Sequence, residues 1–200
     1  MRILIVLFFS LCAVSVSAQG GNLSYRQMIK EKGLTETWKY VTANEKEFDL
    51  IWLRGLCMYV GSKEKVDGGG RDGRYVWGYQ KRIFNAARVD TLKDSEAIIA
   101  QKVSRMWNKY EDLLTCKSTQ FDIVEGSIIK YAVNMKFEEF LIDMVYWKVN
   151  LNKVDEADNS TLLDYIQMQI GRNKGLPSEP YLKSYYAMFK KAGAKHKVEL

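Results

Sequence analysis

Apolar residues recur at helical rather than alternating spacing along most of this chain. Asn44 followed by Glu47 reads as a helix cap with a back-reaching acid, and Phe48, Ile51, Trp52, Leu56, Tyr59 and Val60 then recur at steps of three and four. That spacing predicts a helix over about 45–61. A shorter one, about 25–32, precedes it, with Gly33 placed to end it. From Ser62 to Tyr79 the pattern breaks. Asp67-Gly68-Gly69-Gly70-Arg71-Asp72-Gly73 is a loop signal, because its four glycines permit positive φ, and it runs into Arg74-Tyr75-Val76-Trp77-Gly78-Tyr79.

Beyond it, residues 83–88 suit a short helix. Thr91 and Asp94 offer a capping pair for a long amphipathic helix carrying Ile99, Val103, Met106, Tyr110 and Leu113. The alternation of short and long helices continues. Residues 127–133 carry Ile128, Ile129 and Ala132, and Phe137, Phe140, Leu141, Met144 and Val145 mark a longer partner. Residues 150–160 are too rich in acids and amides for a core. Leu162, Leu163, Ile166 and Ile170 mark another helix, residues 171–180 a loop, and Leu182, Tyr185, Tyr186 and Phe189 a last helix stopped by Gly193.

The chain also repeats itself. Ser127-Ile128-Ile129-Lys130-Tyr131 aligns with Thr161-Leu162-Leu163-Asp164-Tyr165 at an offset of 34 residues, close to the period of about 33 of an ankyrin repeat. Thr161 to Tyr165 resembles the start of an ankyrin inner helix, with Leu162 where that family usually has proline. Val149-Asn150 and the run from Asp155 to Ser160 resemble the loop and turn joining two such repeats, and Lys191-Ala192-Gly193-Ala194-Lys195 is similar to the end of a final outer helix. Met135 and Lys136 depart from the glycine and histidine of the family's helix connection. The resemblance covers about residues 125–196, with 80–124 a more degenerate unit. It implies an all-α fold, a stack of helix pairs in divergent ankyrin-like repeats over about 81–196. Residues 23–80 would supply an α-helical N-terminal cap and a basic glycine-rich loop. Stacking has its own physical logic, since one helix pair cannot cover both its apolar faces and consecutive pairs bury them against each other. The resemblance further implies protein recognition through turn tips and inner-helix faces. The contacts expected are Asp155, Glu156, Asp158 and Asn159 on one side and Arg71, Arg74, Tyr75 and Trp77 on the other.

Composition changes the picture mainly at the N-terminus. Arg2, the apolar run Ile3 to Val14 and Val16-Ser17-Ala18 read as a signal peptide cut ahead of Gln19. Removing 18 of the 200 residues leaves a single expected domain of 182 with 29 basic and 24 acidic residues, a net charge of +5. The mature chain is expected in the periplasm or outside the cell. Cys12 has the bulky Leu11 before it and lies deep in the apolar run, which argues against a lipid anchor. Cys57 and Cys116 would meet an oxidising compartment, where either a disulfide or two separately buried thiols on helix faces fits. No later segment approaches the roughly 18 uncharged apolar residues of a membrane span.

Catalytic chemistry has little support. His196 is the only histidine, so a Ser-His-Asp triad, a Cys-His dyad or a multi-histidine zinc site would have to use a residue five from the C-terminus. No phosphate-binding glycine loop occurs, and no cofactor or metal is expected. The 67–72 segment lacks the alternating oxygen ligands of a calcium loop, although its amides could form an anion nest beside Arg71 and Arg74. Glu138-Glu139 and Asp155-Glu156-Asp158 could serve a glycan hydrolase in principle, yet a helix start and a repeat turn explain both groups. Lys63, Lys65, Arg71, Arg74, Lys81, Arg82 and Arg88 gather near Tyr75, Trp77 and Tyr79. An exported chain seldom meets nucleic acid, so this basic, aromatic segment suits an acidic protein or an anionic envelope polymer. The reading that follows is a non-enzymatic, exported protein-binding module, for instance an immunity-type inhibitor that caps a toxin. A secreted carboxylate-dependent hydrolase or glycan-binding protein, and a cell-envelope assembly protein, are the alternatives.

Overall fold

A computed structural model describes residues 24–68, 75–118 and 123–200. The described chain is mostly helical, consistent with an all-α class. In order, the helices are α1 (Tyr25–Lys32), α2 (Leu34–Asn44), α3 (Leu56–Ser62), α4 (Gly78–Ala86), α5 (Glu96–Tyr110), α6 (Ile128–Asn134), α7 (Glu138–Tyr146), α8 (Leu162–Arg172) and α9 (Glu179–Lys191). Two antiparallel hairpins interrupt them. Strand β1 (Lys65–Asp67) pairs with β2 (Tyr75–Trp77), and β3 (Thr115–Ser118) pairs with β4 (Ile123–Ser127) through Thr115–Ser127 and Cys116–Gly126. No helix among the described residues is long and apolar enough to cross a membrane.

Helices α3, α6 and α8 pack side by side in a row, each backed by a following helix, as α6 is by α7 and α8 by α9. Ser127 and Thr161, equivalent in the 34-residue alignment, are the N-caps of α6 and α8, and each side-chain oxygen accepts a main-chain N–H. One hydrophobic core runs from Val41 to Ala194, centred on Tyr79, Val103, Met106, Phe137, Phe140 and Leu163. Tyr79 and Phe140 meet edge-to-face with ring centres 4.9 Å apart, a geometry worth about 1 kcal/mol beyond burial.

Four helices end by the same device. Arg88, Lys136, Lys148 and Gly193 take positive φ after α4, α6, α7 and α9. The next residue is apolar in each case and returns its N–H to a carbonyl five residues back. The four bonds are Val89 to Phe84, Phe137 to Ala132, Val149 to Met144 and Ala194 to Phe189, at 2.9–3.2 Å. These are Schellman closures. Three of them place a cationic side chain where glycine is favoured, at roughly 1 kcal/mol each, offset by burial of the apolar residue that follows.

The structure corrects several expectations. The helix expected over 45–61 is a 3-10 turn, Leu50–Leu53, followed by α3, with Gly55 at φ 75° between them. Leu50, Leu53, Leu56 and Val60 are buried while Ile51 and Trp52 face outward, so the apolar run serves two elements with different faces. Helix α2, which buries only Thr37 and Val41, carries too weak a stripe to be predicted. The N-cap of α5 is Ser95, not Thr91. Asp94 instead accepts from the Asp90 N–H at 2.8 Å and from Lys102 Nζ at 2.6 Å. Cys116 lies in β3 rather than on a helix. It is bonded to Cys57 of α3 with a Cα–Cα distance of 5.7 Å, tying the helix row to the second hairpin.

The C-terminus is fastened through Asp164. Its carboxylate caps α8, accepting from the Thr161 N–H and hydroxyl, and takes His196 Nδ1 at 2.8 Å and the Lys197 N–H at 3.0 Å. Burial opposes the charge, but the hydrogen bonds from His196, Thr161 and Lys197 outweigh it and hold the carboxyl at about 2, below its ordinary 3.8. A depressed folded value stabilises above the unfolded one and is lost on acidification. The stability difference between the native chain and Asp164→Asn should therefore be full above pH 4 and shrink as pH falls from 3.8 through 2. Urea melts across that range check it, and a difference independent of pH would contradict it.

Candidate partner-binding surface

The first hairpin carries Tyr75 and Trp77 to the surface; Arg71 and Arg74, with the glycine run around them, lie outside the described residues. Tyr75 is 72% exposed, the most open of the described aromatic side chains. Trp77 leads into α4, its N–H held by Gln80 Oε1 at 3.1 Å. Next to it Gly78 makes a close approach possible, since a Cβ there would come within 2.6 Å of Tyr59 Cδ1. Tyr59 is thus seated on the start of α4, and Arg82, one turn further along that helix, lies over it.

Around these residues cations and rings alternate. The Arg82 guanidinium is 4.7 Å from the Tyr59 ring centre and 5.7 Å from that of Trp52, and Nη2 donates to the Arg54 carbonyl at 2.8 Å. Lys65 Nζ lies 4.7 Å above Trp77, whose ring meets Phe137 edge-on at 5.0 Å. Lys63 Nζ is 5.5 Å from the Phe137 ring and donates to the Lys136 carbonyl at 3.2 Å, while Lys136 Nζ is 5.3 Å from Tyr181. A continuous band therefore runs from the 3-10 turn across α3, the hairpin and the α6–α7 turn to α9. Each cation–ring contact contributes roughly 0.5–1 kcal/mol and fixes a long side chain in place. The expected basic cluster contained Lys63, Lys65 and Arg82; Trp52 and Tyr59, read as part of a helical stripe, and Lys136 with Tyr181 complete it.

The acidic turn is built differently. Asp155 is only 4% exposed. It accepts from the Ser127 N–H at 3.0 Å and pairs with Lys130 Nζ at 3.0 Å, so it serves the fold from inside rather than offering a partner contact. Asp158 also binds Lys130, at 2.9 Å, and Asn159, at φ 55°, accepts from Lys197 Nζ. Glu156 sits apart, paired with Arg26 at 3.4 Å and Lys30 at 3.0 Å. Those groups line a groove of about 390 Å³ with Asp112 and Lys153. Its charges satisfy one another, since Asp112 also takes Arg26 and Lys153, and the network straps α1 to the body. A second groove, about 500 Å³, lies between Ala97, Ala100 and Ser104 of α5 and Tyr146 and Trp147.

The acidic groups considered for catalysis are structural in their surroundings. Glu138 and Glu139 occupy the first turn of α7. Asp143, in the same helix, takes Tyr79 Oη at 2.6 Å and Gln80 Nε2 at 2.7 Å on one oxygen. Burial pushes Asp143 up despite those donors, and burial together with Asp143 pushes the Tyr79 phenol up. Tyr79 is fully buried, so this cluster joins α4 to α7 beneath the surface. His196 bridges Asp164 and Tyr186 Oη, 2.8 Å from each. Among the described residues no group of three or more His, Cys, Asp or Glu side chains could hold a metal ion. No protein-family profile matches the chain, and no curated protein or solved structure matches it significantly.

Proposed function

We propose that this chain is an exported, non-enzymatic protein-binding module, its helix pairs α6–α7 and α8–α9 acting as divergent ankyrin-like repeats. Under this reading it acts in the periplasm or outside the cell as an immunity-type inhibitor that covers a toxin. The observation that carries the reading is the band of pre-fixed cations and rings with Tyr75 projecting beside it. Arginine and aromatic side chains are the residue types that anchor protein interfaces, and they contribute most when already ordered. The ionic groove around Glu156 is self-neutralised, and the half-buried Asp143 carboxylate is taken up by the Tyr79 hydroxyl and the Gln80 amide, so neither competes with the band as a reactive centre.

A photo-crosslinking residue at position 75 tests this. The mature chain carrying it is expected to capture one protein from envelope extracts or from a panel of secreted toxins, and Trp52→Ala should abolish the capture. The chain should also block the captured protein's activity. No covalent product, or products unchanged by Trp52→Ala, would count against the reading.

A further inference from the structure

Resting on that protein-binding reading, we infer that the Trp52–Arg82–Lys65–Lys136 band recognises an acidic polypeptide segment, engaging its carboxylates rather than stacking on its rings. Three observations carry the inference. First, the charged heads of Arg82, Lys65, Lys63 and Lys136 rest on rings or main-chain carbonyls, and among the described residues none of the four pairs with a carboxylate. Cations elsewhere with a similar reach do pair, as Lys102 does with Asp94, Lys109 with Glu45 and Lys153 with Asp112. Among the described residues the band thus presents four ordered positive charges with no carboxylate paired to them. Second, one face of the Tyr59 ring is covered by Arg82 and one face of Trp77 by Lys65, while Phe137 is buried. Binding a base or a sugar ring by stacking needs open ring faces; here the cations stand over them, so charge is what the band presents. Third, the exposed rings at the band, Trp52 in the 3-10 turn, Tyr75 in β2 and Tyr181 in α9, stand on three different elements. That arrangement suits apolar side chains interspersed among acids along one extended segment. The partner chemistry is therefore a run of Asp and Glu broken by apolar residues.

The experiment uses the mature chain and a random Glu/Tyr copolymer as probe, with a single-stranded oligonucleotide and heparin as comparison polyanions, read by intrinsic tryptophan fluorescence. The copolymer is expected to bind at low ionic strength and to weaken steeply as salt rises, because the contacts are screened. Arg82→Gln should weaken binding at least tenfold. Lys65→Gln, at a more exposed position, should weaken it several-fold and guards against misfolding of the first variant. Lys93→Gln and Lys195→Gln, which remove the same charge outside the band, should change it less than twofold. Equal losses in the control variants, no binding at low salt, or tighter binding of the oligonucleotide or heparin through the same residues would each overturn the inference. Its failure is separable from that of the wider reading. A protein captured at position 75 that presents no acidic segment sinks the inference alone, whereas copolymer binding without any captured protein sinks the functional reading alone.

Discussion

Lys130→Met is expected to lower the stability of this protein by about 3–5 kcal/mol. Lys130 is 3% exposed, and its ammonium is held by Asp155 at 3.0 Å, Asp158 at 2.9 Å and the carbonyl and hydroxyl of Ser160 at 3.0 Å each. A buried charge pair contributes little over a packed apolar pair, but removing one member leaves the other charged and desolvated. Asp155 is the member left behind, and among the described residues the Ser127 N–H is the one other donor to it. Because Lys130 is in α6 and its acceptors lie in the turn before α8, the loss falls on the joint between two packed helix pairs. For a chain of this size the change corresponds to a drop in Tm of roughly 10 °C. Lys130→Met/Asp155→Asn should be more stable than Lys130→Met, since asparagine keeps an acceptor for Ser127 and carries no charge. Denaturant melts of the three proteins decide it, and a loss below 1 kcal/mol for the single variant would show that water reaches Asp155.

That joint also marks where sequence reading stops. Lys130 stood within the repeated segment as an ordinary polar position, and Asp155 and Asp158 read as solvated turn acids suited to a partner. Nothing in spacing distinguishes an acid at a turn tip from one folded under it onto a lysine 25 residues earlier. The helices with a strong stripe, α5 to α9, were legible because burial of one face is a local pattern. Gly193 was legible as a stop because glycine is favoured at positive φ. Arg88, Lys136 and Lys148 do the same work with side chains that give no such signal, and only the apolar residue after each hints at it.

The second hairpin escaped for a related reason. Its pairing is fixed by long-range contacts, including the bond from Cys116 to α3, and strands of four and five residues leave little periodicity. The candidate surface was half legible. Clustered Lys63, Lys65 and Arg82 with Tyr75 and Trp77 pointed to it. Trp52 and Tyr59 were read as part of the apolar stripe of one helix over 45–61, and the break at Gly55 turns Trp52 outward instead.

Loss of the Cys57–Cys116 bond should be comparable in size to loss of Lys130 but should act through the unfolded chain. The two cysteines are 59 residues apart, and closing a loop of that length removes unfolded-state entropy equivalent to about 4 kcal/mol. Cys116 is 2% exposed, and the loop it closes contains α4, α5 and the first hairpin, so Tyr59, Lys63, Lys65, Trp77 and Arg82 of the cation–ring band fall in the constrained region, while Trp52, Lys136, Phe137 and Tyr181 lie outside it. Cys57→Ala/Cys116→Ala is the cleaner test, because it avoids leaving buried thiols to re-oxidise. Its midpoint in urea should fall by the amount set by that loss, with the slope of the transition rising, since an unlinked unfolded chain exposes more surface. Reduction of the native protein should reproduce the same midpoint. The folded band should survive at low denaturant, so binding of the copolymer probe by the reduced chain at full occupancy of the native state should match the oxidised chain within twofold. A large loss of binding with little loss of stability would instead place the disulfide in direct support of the surface.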